Sequence, residues 1–328
     1  MMLSPAFRSK QRRSIFKKFL RLFGLPDFSQ IYLFSDGLWK KRSFSFSKDG
    51  EEIFDDVYSI YFNSRFLLLT SSFQSLRKNM DSRSKRIFII GSGPSIAKQN
   101  LNVLKNEEVI LLNGSCILIK QLALKEATLV ISDDSFIQKR SRLLNEVLKY
   151  VQESGSKIRL CFSFRVLRAF LKEKILLPEG AKIFLFEELL PDVVVQSQAS
   201  LNIYDYKQRI ERNDVTMKIF SSFDKAGVFH CGSVMTVGIQ IAAFLGYEEV
   251  YLLGFDIGNS NQPRFYEKEG DQVRSGLLAD YETGILPFML LASAWFMKNN
   301  RKIFNCSPST LLPYEVVPYL DFGLFSNE

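Results

Sequence analysis

Five short stretches hold the side chains with chemistry to offer. Gly91-Ser92-Gly93-Pro94-Ser95 ends the apolar run Ile87 to Ile90, and Asn113-Gly114-Ser115 ends the run from Val109. Ser132-Asp133-Asp134, Gly254-Phe255-Asp256 and Cys306-Ser307-Pro308-Ser309 end three more. Glycine lets backbone come close to a bound group, and Ser95 is placed to cap a following helix. The first stretch is not GxGxxG, because no third glycine follows, and it is not a P-loop, because GK[ST] is absent. Asp133 and Asp134 suit three uses: chelating a cation, capping a helix, or accepting from a ligand hydroxyl. His230, the only histidine, stands just before an apolar segment that starts near Gly232. A helix N-terminus there would favour an anion, and the imidazole could act as a base or as a phosphate partner. Arg264 and Tyr266, in "RFYEKEGD", are side chains able to stabilise a departing phosphate.

Each stretch needs a strand to place it. "RIFII", "VILLN", "TLVIS", "KIRLCFS", "KIFLF", "EVYLLGFD" and "KIFNCSPS" are short apolar strands, and "SFIQKRSRLLNEVLKYVQES" between two of them is helical. The alternation predicts an α/β fold: a Rossmann-like, mostly parallel sheet with helices on both faces. In such a sheet, ligands bind beyond the carboxyl ends of the strands, where strand order reverses. Five polar strand ends together predict a cleft for a sugar nucleotide. Gly232 to Tyr247 reads as a buried helix, and 278–299 as a long helix bent at Pro287. The expected organisation is a basic extension over 1–80, with "IYLFS" and "SFSFS" as short strands, and one nucleotide-binding domain over 81–328. A polar, irregular stretch at about 190–230 reads as a lid-like insertion.

The 328 residues suffice for a large core, and 46% hydrophobic with 24% charged content excludes a disordered chain. The net charge of +8 suits an anionic partner. Arg8, Lys10, Arg12, Arg13, Lys17, Lys18 and Arg21 all precede the first acid, Asp27. Ile15, Phe16, Phe19, Leu20 and Phe23 recur at helical spacing among them, which predicts a basic amphipathic helix for an anionic membrane surface. The alternative is a helix docked on the body. No uninterrupted signal-peptide core and no run of about 20 apolar residues occurs, so the expected location is cytoplasmic, peripheral on the inner membrane. Cys116, Cys161, Cys231 and Cys306 show no CxxC spacing and read as reduced, buried thiols rather than zinc ligands. Nucleic acid is not an expected partner, since the basic excess is terminal and no recognition motif appears.

"VILLNGSCILIKQ", "VISDDSFIQKR", "GIQIAAFLGYEEVYLLGFDIGNSNQPRFYEKEG" and "IFNCSPSTLLPYEVVPYLDF" resemble the bacterial lipopolysaccharide core Kdo transferases that add a side-branch Kdo. The resemblance spans Arg86 to Phe322. More distantly, the order GSGPS, Asn113, "LGYEEVYLLGFD", "SPSTLL" is similar to the Campylobacter-type sialyltransferases, which use CMP-sialic acid. The resemblance implies a glycosyltransferase moving Kdo from CMP-Kdo to a sugar of the lipid-linked inner core, with no cofactor and no essential metal. It places Gly91, Ser92, Gly93 and Ser95 near the CMP phosphate and ribose, Asn113 and Asp133 on the donor, and Ser233 at the turn that binds nucleotide. Gly254 and Arg264 join this group, Tyr266 bonds the leaving phosphate, and Ser307 and Ser309 lie near the cytidine. The sialyltransferases have Asn at the position of Ser92. They also place a catalytic His where Thr283 stands, so the base is not carried over. His230 is the first candidate, with Asp256, Asp280 and Glu282 as alternatives. Two other readings are a sialyltransferase-like enzyme using CMP-sialic acid, and a non-catalytic membrane-associated assembly protein.

Overall fold

The computed structural model describes the strand residues between 31 and 71, residues 76–77, and, apart from single positions, residues 85–189 and 228–327. The amphipathic segment at 15–23 and nearly all of the lid-like insertion lie outside the described residues.

Among the described residues, eleven strands form one sheet. Seven are parallel: β5 (Arg86–Ile90), β6 (Val109–Leu112), β7 (Glu126–Ile131), β8 (Lys157–Ser163), β9 (Lys182–Phe186), β12 (Glu249–Leu253) and β13 (Lys302–Asn305). Their spatial order is β9-β8-β7-β6-β5-β12-β13. The chain therefore builds outward from β5 in one direction, then returns and builds outward in the other. The reversal falls between β5 and β12, which are paired from Arg86↔Glu249 to Ile90↔Leu253. Beyond β9 the sheet continues as an antiparallel meander of β1 (Ile31–Leu33), β2 (Leu38–Phe46), β3 (Glu52–Phe62) and β4 (Arg65–Ser71), with β4 meeting β9 at Ser71↔Phe184. A separate parallel pair joins β10 (Glu188–Leu189) to β11 (Val228–Phe229).

Period-two alternation along the strands feeds two cores. Ile87, Ile89, Ile110 and Leu112 face α4 (Val234–Leu245) and α5 (Leu286–Lys298). Phe88, Ile90, Val109 and Leu111 face α1 (Ile117–Gln121), α2 (Asp134–Ser154) and α3 (Phe164–Lys172). Both faces are apolar because both are covered, which is why the strands read as unbroken hydrophobic runs. Each fully buried Ile, Leu or Phe contributes about 2 kcal/mol of transfer free energy. α4 lies so close to the sheet that a β-carbon at Gly238 would meet Ile89 and Leu112. The Rossmann-like, mostly parallel architecture with helices on both faces is borne out.

Two local expectations are corrected. After the turn at Gly91–Gly93 the chain forms 3₁₀ turns, Pro94–Lys98 and Leu101–Asn106, rather than an α-helix, and Gly93 rather than Ser95 is the cap. The Asn100 side chain accepts from Asn102 N–H and starts the second turn afresh, so no α ladder propagates. The helix expected over 278–299 starts later: α5 begins at Leu286, directly after a π-turn over Tyr281–Ile285, with Pro287 in its first turn, where the missing N–H is harmless.

Candidate active site

The β5 and β12 turns interlock at the reversal point. Gly91 N–H donates to Leu253 O at 2.8 Å and Gly93 N–H to Gly254 O at 2.9 Å. A β-carbon at Gly91 would fall on the Gly254 carbonyl, and one at Gly93 on the Asp256 carboxylate. Gly254 itself has φ +63°. The glycines therefore serve the contact between turns as well as access from outside. Asp256 Oδ2 accepts the Ser95 N–H at 2.7 Å. Burial holds the Asp256 carboxyl above the usual carboxylate range, against the opposing Ser95 N–H. Ser307 Oγ, fully buried, accepts the Phe255 N–H at 2.7 Å and fixes the same turn from behind.

A cavity of about 330 Å³ opens at this crevice. Its floor is the turn Gly91–Pro94 with Gly254–Asp256; Asn113, Ser132 and Asp133 continue it along the ends of β6 and β7. Of the candidates from sequence, Gly91, Ser92, Gly93, Asn113, Asp133, His230, Ser233, Gly254, Asp256, Arg264 and Tyr266 all line it, as does Asp280. Ser95, Ser307, Ser309 and Glu282 do not. Ser95 and Ser307 act one layer behind through Asp256 and Phe255; Ser309 is half-buried beside Gly258, and Glu282 is exposed.

One wall is the loop 262–280. Phe265 N–H donates to Ser92 O at 3.3 Å, which ties the loop to the glycine turn. The Tyr266 ring rests on Gly114, where any β-carbon would collide with it. Burial pushes the Tyr266 hydroxyl up to about 12, so it remains a proton-bearing donor at neutral pH. Behind it, the Glu267 carboxylate is 1% exposed and meets Arg140 at 2.9 Å and Arg264 at 2.8 Å. Burial alone would raise Glu267, but the Arg264 N–H and the two guanidinium groups hold it below its ordinary value. Arg140 also reaches Asp271 at 2.6 Å and departs from helical geometry, with φ −129°. α2 thus bends at the residue that clamps the loop.

The facing wall carries His230. Ser233 caps α4 by accepting the Met235 N–H at 3.2 Å, and Gly232, with φ +78°, leaves room for Asp280. Burial lowers the His230 pKa and Arg165 lowers it further, while Asp133 and Asp280 oppose. The imidazole is therefore neutral at pH 7 and able to take a proton. Asp133 caps α2 through Ser135 N–H at 2.9 Å and still faces the cavity. Asn113 sits at φ +48°, a left-handed conformation that Asn tolerates. Three lining atoms, Asn113 Oδ1, Ser132 Oγ and Asp256 Oδ1, are buried with no hydrogen-bond partner.

Sequence reasoning passed over several lining residues: Lys139, Arg140, Arg165, Gln262 and Glu267. Ser132 was visible as a strand end. The others had no local signal, because helix and loop polar residues point to a site only once the strand order is known.

Residues 210–323 match the family model described as 3-deoxy-D-manno-octulosonic acid transferase WaaZ, a stretch that holds α4, β12, the Tyr266 loop, α5 and β13. Among curated proteins, the chain is 25% identical over 264 residues to the probable 3-deoxy-manno-octulosonic acid transferase of Escherichia coli (strain K12), covering 75% of this chain and 86% of that relative. It is 31% identical over 105 residues to the protein of the same description from Salmonella typhimurium (strain LT2), covering 31% of this chain and 36% of that one. Among solved structures, the sialyltransferase CST-II in complex with CMP aligns over 71% of this chain and 85% of its own at 16% identity and TM-score 0.38. The MAf glycosyltransferase from Magnetospirillum magneticum AMB-1 aligns over 72% and 33% at 18% identity and TM-score 0.40. The resemblance to the Kdo transferases read from the sequence is borne out by the family model and both curated relatives. Among the described residues, no helix is long and apolar enough to cross a membrane.

Proposed function

We propose that this chain is a glycosyltransferase that moves Kdo from CMP-Kdo to an inner-core sugar of lipopolysaccharide. One observation carries the reading. A cavity at the β5–β12 reversal gathers three unpaired buried polar atoms, a protonated tyrosine and a neutral histidine in a chain whose residues 210–323 match that family model. The glycine turn and Asp256 face the nucleotide, and Asn113 and Asp133 face the donor sugar. Tyr266, Arg264 and the α4 N-terminus at Ser233 face the phosphate. His230 takes the proton from the acceptor hydroxyl, whose oxygen bonds to the anomeric carbon of Kdo. The bond from that carbon to the phosphoryl oxygen breaks, and its electron pair leaves on CMP, which accepts a hydrogen bond from Tyr266. No step is assigned to a metal. The basic segment at 15–23 brings the chain to a membrane that presents the lipid-linked acceptor.

The test is thermal unfolding with CMP, CMP-Kdo, CMP-sialic acid and UDP, followed by CMP release with a core acceptor. CMP and CMP-Kdo at about 100 times Kd are expected to stabilise the protein by about 2.7 kcal/mol, and CMP-Kdo to be consumed when acceptor is present. Consumption of CMP-sialic acid instead would make the chain a sialyltransferase. No stabilisation by any cytidine nucleotide would leave the assembly-protein reading.

A further inference from the structure

α4 is apolar except at Thr236 and Gln240, which lie one turn apart on one face and are both fully buried. Gln240 Oε1 accepts the Phe229 N–H at 2.9 Å, and Gln240 Nε2 donates to Phe229 O at 2.8 Å and to Thr236 O at 2.9 Å. Phe229 ends β11, which among the described residues pairs with β10 alone. The glutamine amide supplies the other side, with one acceptor and one donor, as a neighbouring strand one residue long. Thr236 Oγ1 continues the hold by donating to Ser233 O at 2.6 Å and accepting the Cys231 N–H at 3.4 Å. His230 stands between the two anchored points.

We propose that Gln240 is a positioning residue: from inside the core, its amide fixes the backbone of Phe229 and thereby sets where the His230 imidazole stands in the cavity. The inference deepens the reading of His230 as the base and rests on it. The chemistry admits no other residue at this place. Asn is one methylene short. Glu offers no donor and would set a carboxylate against two carbonyls. Leu or Met fills the volume but leaves the half-buried Phe229 N–H without the glutamine and its carbonyl with only the weak Cys231 Sγ–H contact at 3.8 Å. The charged groups facing His230 are Arg165 from the first turn of α3, Asp133 at the α2 cap and Asp280 before α5, so a small displacement changes its distance from all three.

Because the chain has one histidine, a single imidazole resonance reports its titration. The experiment compares the full chain with Gln240→Met and, as a control, with Ile241→Ala, a buried neighbour that touches neither Phe229 nor His230 by hydrogen bond. Both variants are expected to lower Tm. Only Gln240→Met is expected to move the His230 midpoint by about half a pH unit and to lower kcat with CMP-Kdo about tenfold, with KM changed less than about threefold. The proposal is overturned if Gln240→Met matches the control in midpoint and kcat. If Gln240→Met does not fold, amide exchange in the unaltered protein decides. Phe229 N–H protected as strongly as the middle of α4 supports the proposal, and exchange at the rate of the exposed loops overturns it. Should the unaltered protein fail to use CMP-Kdo, the functional reading falls, while the titration and the exchange still decide whether Gln240 positions His230.

Discussion

The two ends of the parallel sheet handle polar groups in opposite ways. At the amino ends of the strands, charges are paired. Arg86 grips Glu107 at 2.6 and 3.1 Å, and Arg159 meets Glu108 at 3.1 Å and Thr128 at 2.9 Å. Glu249 accepts from Tyr251 at 2.7 Å and from Lys302 at 3.1 Å. At the carboxyl ends, buried atoms are left alone: Gln99 Oε1, Asn113 Oδ1, Ser132 Oγ and Asp256 Oδ1. An unpaired buried polar atom costs about 1–3 kcal/mol. The fold satisfies one end of its strands and tolerates this cost at the other. The comparison separates residues paired within the protein from residues with polar capacity left over at the candidate site.

Four substitutions put pressure on that separation, in falling order of effect. His230→Gln is expected to cut kcat about 10³-fold, about 4 kcal/mol of transition-state stabilisation, with Tm nearly unchanged. Steady-state rates and a melting curve check it, and retained activity would move the base to Asp256 or Asp280. Tyr266→Phe is expected to lower kcat about 10²-fold, about 2.7 kcal/mol, in a protein that melts normally; an unchanged rate would remove the tyrosine from the phosphate. Arg159→Met, at the opposite end, is expected to lose about 2 kcal/mol in urea unfolding, because Glu108 and Thr128 keep their polar atoms without the guanidinium. Its kcat should match the unaltered protein, and a fall in kcat would blur the division between the two ends.

Asp256→Asn carries the smallest expected effect and reverses sign. Asn keeps an oxygen for Ser95 N–H but carries no charge, so the ligand-free protein should gain about 1 kcal/mol at pH 7 while CMP affinity drops. The sign follows from the raised carboxyl. A folded-state pKa above the unfolded one means stability is full at low pH and is lost as pH rises through the folded value. Urea unfolding at several pH values should therefore show the two proteins converging below the ordinary carboxylate range and separating above it. Loss of stability in Asp256→Asn at pH 7 would make the carboxylate a structural group.

The strands were legible because both faces are buried: apart from Arg159, the polar residues of "VILLN" and "KIRLCFS" fall at their ends, and their observed bounds differ by a residue at most. The glycine turn was legible as a turn, and His230 and Tyr266 as chemistry in search of a place. What could not be read was adjacency. Asp256 reaches Ser95, Tyr266 lies on Gly114, and Arg140 clamps Glu267 across most of the domain. No periodicity encodes these contacts; they follow from the reversal of strand order at β5, which a local pattern does not specify. The Pro94 segment shows a second limit, since five residues of helical composition settled for 3₁₀ geometry when a polar side chain restarted the turn.

The central place of β5 also governs how the protein comes into being. As the chain leaves the ribosome, β5 through β9 emerge long before β12. Until then β5 is the bare margin of a growing sheet, open to the wrong neighbour. The tyrosine's seat on Gly114 is filled later still. A nascent chain therefore has no finished pocket, and the cavity is complete only when β12 and the Tyr266 loop close against β5.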